Sequence, residues 1–480
     1  MSIVKKTNKK NVFLFSFYDI ANTVYSQVIQ STIILRYIQI IGQVENGMTK
    51  DQAYFVFTTI QALSQILVVA LIPLFGAMMD RAGRKKPFVL TITGITLIST
   101  SLFWIKKSIA VVMTLFILAN LAYWAALAAY DAMIPSLAAE KDIGKTSGIA
   151  MGLGWVSIIP AIGITILANS LWGQPNADPN QGPVVYGYYA NPWTYIMTVG
   201  LFILFLIPFL FTKEKAKPGE FPKFKELLND SFGELYRTFR DIRKHKEMFK
   251  FIIGYFFIVD MANTANIILL DVLRDAIGFP ESQSLILQLP VVFAAIFVIP
   301  IIGWMGDKFG AKATVWTVGA LYITGLISGI FAIWYGKKSV SPGLTLMFIL
   351  TFVMMICVGI GLGSTWVVQR VMILKLAPPE KVGEYVGFSY IAGRLNASVA
   401  IFIWGGIIKV FYPIFNAKGY DYRTYSVGLL FLLFLLVVGM VITFFVKIPT
   451  DEERKKWAED YINKGMKTQT ELEKEQMKKS

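Results

Sequence analysis

The sequence predicts an all-α membrane protein with twelve transmembrane helices arranged as two six-helix repeats. Three observations carry this. Over 480 residues the chain is 55% hydrophobic with a mean hydropathy of +0.56, an average that a soluble domain does not sustain over such a length. Charged or Pro/Gly-rich breaks separate twelve apolar stretches, each long enough to cross a hydrocarbon core, which takes about 20 residues. Several of them lack the polar face of a soluble amphipathic helix. Finally, three motifs of the first half return in the same order in the second.

Span 1 (12–40) follows Lys5, Lys6, Lys9 and Lys10. It is too long for a signal-peptide core, and no small-residue cleavage site follows, so it should stay in place as a helix. Within it, FYDIANTVYSQVIQS (17–31) carries Asp19, Asn22, Thr23, Gln27 and Gln30. Steps of three and four put them on one helical face. At about 1.5 Å per residue, Asp19 lies roughly 10–12 Å inside the membrane. Span 2 (52–79) adds Thr58, Gln61 and Gln65 and runs into GAMMDRAGRKK, from Gly76. There Gly83 permits a tight turn, and the basic cluster stays at the inner leaflet.

Spans 3 (87–105), 6 (192–212), 9 (313–335) and 12 (424–447) hold essentially no ionisable residue in their interiors and read as lipid-facing supports. Span 4 (109–136) carries Asp131 and leads into LAAEKDIGKTSG; span 5 (146–171) follows. Span 7 (249–275) carries Asp260, Asn263 and Thr264, and span 8 (283–305) ends near Asp307. Spans 10 (343–374) and 11 (384–411) carry Arg370 and Arg394.

The break at 213–248 contains Pro218, Pro222 and about ten basic residues. It divides an N-terminal half (1–212) from a C-terminal half (249–448), with a charged tail at 449–480. Within it, Phe224, Leu227, Leu228, Phe232, Leu235 and Phe239 recur at helical spacing. Two readings stand: an amphipathic helix on the inner leaflet, or a solvated linker helix.

The halves repeat each other. Asp19-Ile-Ala-Asn-Thr23 returns 241 residues on, from Asp260. The Gly76 motif returns 227 residues on as GWMGDKFGAK, and LAAEKDIGKTSG returns 239 residues on as LAPPEKVGEYVG. A parallel repeat about an axis along the membrane normal places a site between the halves.

The net charge of +15 is concentrated at one side of the spans. An even number of spans puts both termini on that side, the cytoplasmic one by the positive-inside rule; Lys106, Lys107, Lys337 and Lys338 are exceptions. The basic excess reads as orientation and attraction to anionic lipid, with no nucleic-acid partner. Cys357 is the only cysteine, and His245, in the central break, the only histidine. This excludes an intrachain disulfide, a cysteine metal cluster and Ser–His–Asp chemistry within the membrane. No catalytic residue, metal or cofactor is expected, and no pore-loop pattern points to a channel.

The loop G-x-x-x-D-R-x-G-R-K-K, with Gly76, Asp80, Arg81, Gly83, Arg84 and Lys85, resembles the best-known motif of the major facilitator superfamily. Its second copy keeps Gly303, Asp307, Lys308, Gly310 and Lys312. YDIANTVY, YDAMIPSLA with GKTSG, and QR…LAPPE…GEYVGFSYIAGR are similar to the vacuole-effluxer family, which includes vacuolar amino-acid exporters. Ile20 and Arg394 depart from that family's usual aromatic and lysine. The resemblance implies the major facilitator fold, with helices 1, 4, 7 and 10 central. It also implies secondary transport of a small polar solute, an amino acid first, with a sugar or drug as the runner-up. A solute receptor built on the same fold is the rival from another class.

Charge in mid-membrane costs several kcal/mol and therefore faces a wet cavity or a partner. Asp19 and Asp260, with their Asn and Thr neighbours, either bind solute or protons or hold neighbouring helices. Arg370 lies 239 residues beyond Asp131, so the two are candidates to pair across the halves near the inner end. Arg394 or Arg370 either grips a substrate carboxylate or pairs with Asp19 or Asp260. Gly76, Asp80, Arg81, Gly83, Arg84, Asp307 and Asp131 read as a gate, with Asp80 near the start of helix 11 and Asp307 near that of helix 5. Trp124, Trp155, Trp366, Tyr130 and Tyr390 either line a cavity or pack. The expected protein is a monomer in the plasma membrane, or in a vacuolar or lysosome-like membrane in a eukaryote.

Overall fold

A computed structural model describes residues 7–82, 84–137, 143–173, 186–214, 246–336, 342–376, 398–450 and Glu453. They form twelve long helices. Helix α1 (9–46) begins as Lys9–Tyr25, passes through a π-helical stretch, Ser26–Ile33, and continues as Ile34–Asn46. The Asn8 side chain caps its start, accepting the Asn11 N–H at 3.2 Å. Gly47, at φ 61°, ends it in the left-handed conformation. Then come α2 (Lys50–Ala82), α3 (Lys86–Ser101), α4 (Ile109–Asp131), α5 (143–172) and α6 (Pro192–Leu210). The second half holds α7 (246–277), α8 (Leu289–Phe309), α9 (Ala311–Gly336), α10 (Pro342–Leu376), α11 (Val399–Asn416) and α12 (Arg423–Phe444).

Ten of these contain segments long and apolar enough to cross a membrane. The other two are α1, interrupted by its π-helical stretch, and α3, which has 16 residues. Helix α5 is also interrupted, at Ser157. Helix α4 stops at Asp131, short of the expected 136. Pro135, which lacks an N–H and disfavours a helical residue before it, lies in a separate short helix, Ile134–Leu137. The amphipathic segment at 224–249 falls mostly outside the described residues.

The repeat recurs in the packing. The pairs α3–α4, α1–α6 and α2–α4 have the counterparts α9–α10, α7–α12 and α8–α10. Between the halves, α2 packs on α11 and α8 touches α5. Small residues allow the closest approaches. A Cβ at Gly254 would meet Thr443 Oγ1 at 2.4 Å, so α7 and α12 touch along their backbones. A Cβ at Gly405 would meet Thr58 Oγ1 at 1.8 Å, which seats α11 on α2. Large apolar side chains are exposed on the outside, such as Ile98 on α3, Leu204 on α6, Phe297 on α8 and Phe434 on α12. Polar and aromatic groups fill much of the interior, the arrangement a hydrocarbon solvent favours.

Side-chain contacts fix the two ends of the bundle. Asn11 Nδ2 donates to the Lys213 carbonyl at 2.8 Å, and the Lys447 N–H donates to Glu247 at 2.6 Å. The starts of α1 and α7 and the ends of α6 and α12 therefore share one end. Asn46, Lys50, Ser101, Ile277 and Asn416 lie at the opposite end, since α1, α2, α3, α7 and α11 cross the bundle between them.

Candidate functional site

The stripe of α1 reaches several neighbours. Asp19 is half-buried. Its Oδ2 accepts the Tyr130 hydroxyl of α4 at 3.0 Å. Tyr130 is itself stacked on Phe15 at 4.0 Å and on Tyr18 at 4.6 Å. A buried phenol needs an acceptor, and the carboxylate supplies it. Asn22 donates to the Tyr123 hydroxyl at 3.2 Å, and its own Oδ1 is buried without a partner among the described residues. Thr23 donates to the Asp19 carbonyl at 2.8 Å and faces Gly154 of α5. Gln30 donates to Asn120 at 2.7 Å, which donates to Ser64 of α2 at 2.5 Å. Gln27 crosses to the other half, donating to Gln288 beside α8 at 2.5 Å.

The π-helical stretch explains part of this divergence. It inserts an extra residue into the turn, and Thr32 returns its hydroxyl to the Gln27 carbonyl at 2.8 Å. Such bulges re-aim side chains and are frequent at functional sites. Asp19, Thr23, Ser26, Gln27 and Gln30 nonetheless remain partly exposed inside the bundle.

In α7, Asp260 is buried, and its two oxygens accept the Ala400 N–H at 3.2 and 3.1 Å. It thus caps the described start of α11, where an anion is favoured. Asn263 Nδ2 and Thr264 Oγ1 are buried and have no partner among the described residues, and Asn266, one turn on, is exposed. The structure therefore gives Asp19 and Asp260 different partners, a phenol and a backbone N–H. Arg370 lies on α10 with its side chain outside the described residues; Arg394 and Tyr390 fall outside them entirely.

Gly76, Asp80 and Arg81 lie in the last turns of α2, and Asp307 in the last turn of α8. Their side chains, and Gly83, are outside the described residues. Arg84 is exposed and Asp131 half-buried. The loop's described anchor is Glu214, whose oxygens accept the Lys85 and Lys86 N–H groups at 2.8 and 3.0 Å. Trp155 packs toward Gly363 of α10.

At the end opposite the starts of α1 and α7, the halves are joined by a charged cluster that the sequence reading missed. Asp275 of α7 pairs with Lys50 at 3.0 Å and Arg36 at 3.4 Å, both from the N-terminal half. Tyr425 donates to the same carboxylate at 3.2 Å. One turn earlier, buried Asp271 accepts the Tyr54 hydroxyl at 3.4 Å, and Trp404 Nε1 donates to Tyr54 at 3.1 Å. The carboxylate of Asp275 is 9% exposed, so the pairing is desolvated on the acid side. Removing one partner of a buried pair typically costs about 3–5 kcal/mol. A signal was present: opposite charges stand near the far ends of spans 1 and 7, the two spans that share the Asp19 and Asp260 motif.

The family model described as Major Facilitator Superfamily matches residues 12–401. A Bacillus subtilis (strain 168) protein described as an uncharacterized MFS-type transporter, YxiO, is 25% identical over 441 residues. The match covers 91% of this chain and 94% of that protein. The solved structure of a bacterial homologue of the human lysosomal transporter Spinster, inward-facing and unoccupied, gives a TM-score of 0.62 at 15% identity, over 91% of this chain and 95% of the other. The nucleoside transporter NupG gives 0.62 at 14% identity, over 92% and 100%. A D-xylose–proton symporter gives 0.59 at 14% identity, over 89% and 96%. At such identities the solved structures speak for the fold, and the family match covers most of the chain. The chain belongs to the major facilitator superfamily of membrane transporters.

Proposed function

We propose that this chain moves a small polar organic solute, an amino acid first, across the plasma membrane by alternating access. The observation that carries the reading is the Asp275–Arg36–Lys50 cluster, which ties the halves at one face only a few turns from the partly exposed polar stripe of α1. Rocking of the halves would break these pairs and open the stripe to that face. The buried orphan groups support a polar solute. Among the described residues, Asn22, Gln61 and Gln65 leave buried oxygens without donors, and Gln39, Asn263 and Gln288 leave buried N–H groups without acceptors. A solute carrying both donors and acceptors would satisfy the two sets, and the vacuole-effluxer resemblance favours an amino acid. Asp19 and Asp260 are the candidates to carry a coupled proton. Arg370 and Arg394 are the candidates to meet a carboxylate. The gate at Gly76, Asp80, Arg81, Gly83, Arg84, Asp131 and Asp307 would close the opposite, cytoplasmic face, where both termini lie. The chain would work as a monomer.

Uptake into proteoliposomes of labelled amino acids, sugars and nucleosides, with and without an imposed pH gradient, tests this. The expected result is saturable uptake of an amino acid. Saturable uptake of a sugar or nucleoside instead would replace the substrate class. Binding without flux would overturn the transport reading in favour of a solute receptor.

A further inference from the structure

A groove of about 460 Å³ opens on the membrane-facing side between α9 and α12, at the end where α9 starts and α12 stops. Its size falls in the range of roughly 300–1,000 Å³ typical of small-ligand clefts. Trp316, Ala320 and Ile323 form one wall, and Val437, Val441 and Phe444 the other. The helices touch where Gly319 meets Met440, and the small side chain of Ala320 leaves the space beside that contact open. At about 1.5 Å per residue, Trp316 to Ile323 spans about 10 Å of membrane depth, enough for the first part of an acyl chain. Lys312 stands at the mouth. Its Nζ donates to the Phe444 carbonyl at 3.0 Å and lies 5.8 Å from the centre of the Phe444 ring.

The N-terminal half shows what else belongs at such a mouth. There Lys86, in the first turn of α3, donates to the Leu210 and Thr212 carbonyls at the end of α6, at 2.5 and 2.9 Å. The Glu214 carboxylate covers the start of α3 through the Lys85 and Lys86 N–H groups. It thereby supplies the anion that a helix N-terminus and a lysine both favour. Lys213 and Lys447 make the matching end contacts of the two halves, so the counterpart of Glu214 is Ile448, which has no carboxylate. Among the described residues no carboxylate takes that place at the start of α9.

We propose that the α9–α12 groove binds one acyl chain of an anionic phospholipid, whose phosphate takes beside Lys312 the place that Glu214 takes in the other half. The apolar walls hold the chain, and Lys312 selects the headgroup charge. The site faces the leaflet on the side where α9 starts and α12 stops.

The test uses the full-length protein in phosphatidylcholine vesicles containing brominated phosphatidylglycerol or brominated phosphatidylcholine. Bromine quenches nearby indoles, and the Trp316 contribution is the difference between wild type and Trp316→Phe. At equal mole fraction, the anionic lipid should quench Trp316 about fivefold more effectively, the preference one lysine gives near an anionic headgroup. Lys312→Gln should abolish that preference, Lys312→Arg should retain it, and Ala320→Phe should reduce quenching by both lipids. Equal quenching by the two lipids, or a preference that survives Lys312→Gln, would overturn the proposal. So would a loss under Lys312→Gln that Lys312→Arg shares, since that would report a damaged fold.

Discussion

Asp19 and Asp260 occupy matching places in the repeat, yet their partners set different expectations. Asp260 holds a backbone N–H, so Asp260→Ala leaves a buried donor without an acceptor. Such a group costs about 1–3 kcal/mol. Asp260→Asn keeps an oxygen at the same place and should lose clearly less; thermal unfolding of the two variants in detergent separates them. The same pair tests proton coupling: uptake by Asp260→Asn that still responds to a pH gradient would remove Asp260 from that role. Asp19 answers a phenol instead. Tyr130→Phe should therefore leave Asp19 with one fewer donor but an intact aromatic stack on Phe15 and Tyr18. Its expected signature is a change in transport with little change in unfolding midpoint. At this scale the sequence disclosed the polar residues but little of their partners. Three-and-four spacing gives a common face only on a regular α-helix, and the π-helical stretch of α1 breaks that assumption between Ser26 and Ile33.

At the scale of elements, the spans were legible because a hydrocarbon solvent demands about 20 apolar residues and punishes anything else. Interruptions inside spans were less legible. The π-helical stretch within α1 and the one that ends α7 contain no Pro or Gly to mark them, whereas the break at Ser157 in α5 falls three residues before Pro160. Helix α11 depends on α2 through a contact with no room for a side chain. Gly405→Val should therefore push α11 off Thr58 and lower stability by about 1–3 kcal/mol, the usual cost of overpacking. Thr58→Gly in the same chain should recover part of the loss, as read by unfolding midpoints of the single and double variants.

At the scale of the whole molecule, the prediction concerns which face opens. Asp275→Asn loses the charge that holds Arg36 and Lys50 and should loosen the halves at the face opposite the starts of α1 and α7. In a Cys357→Ser background, a reporter at Gln27→Cys should then react faster with a charged thiol reagent added from that face. An unchanged rate would detach the cluster from gating. The exchange Arg36→Asp with Asp275→Arg should restore slow labelling where each single change does not. The two-half architecture was readable from three motifs because duplication leaves its mark on loops as well as on spans. The cluster itself was overlooked because Arg36, Lys50 and Asp275 sit near span ends, where charge is ordinary and draws no notice.

Arg36 and Asp275 also bear on how such a chain can arise. By the 241-residue offset that relates Asp19 to Asp260, Arg36 matches Ile277 and Asp275 matches Ile34, so the pair joins positions that differ between the two copies. A second copy of the N-terminal half would put isoleucine, the match of Ile34, where Asp275 stands, and leave Arg36 and Lys50 without this carboxylate. A closed face of this kind therefore requires the copies to have diverged, and neither half can stand in for the other. A chain built from two N-terminal halves would keep every lipid-facing surface and still fail to shut.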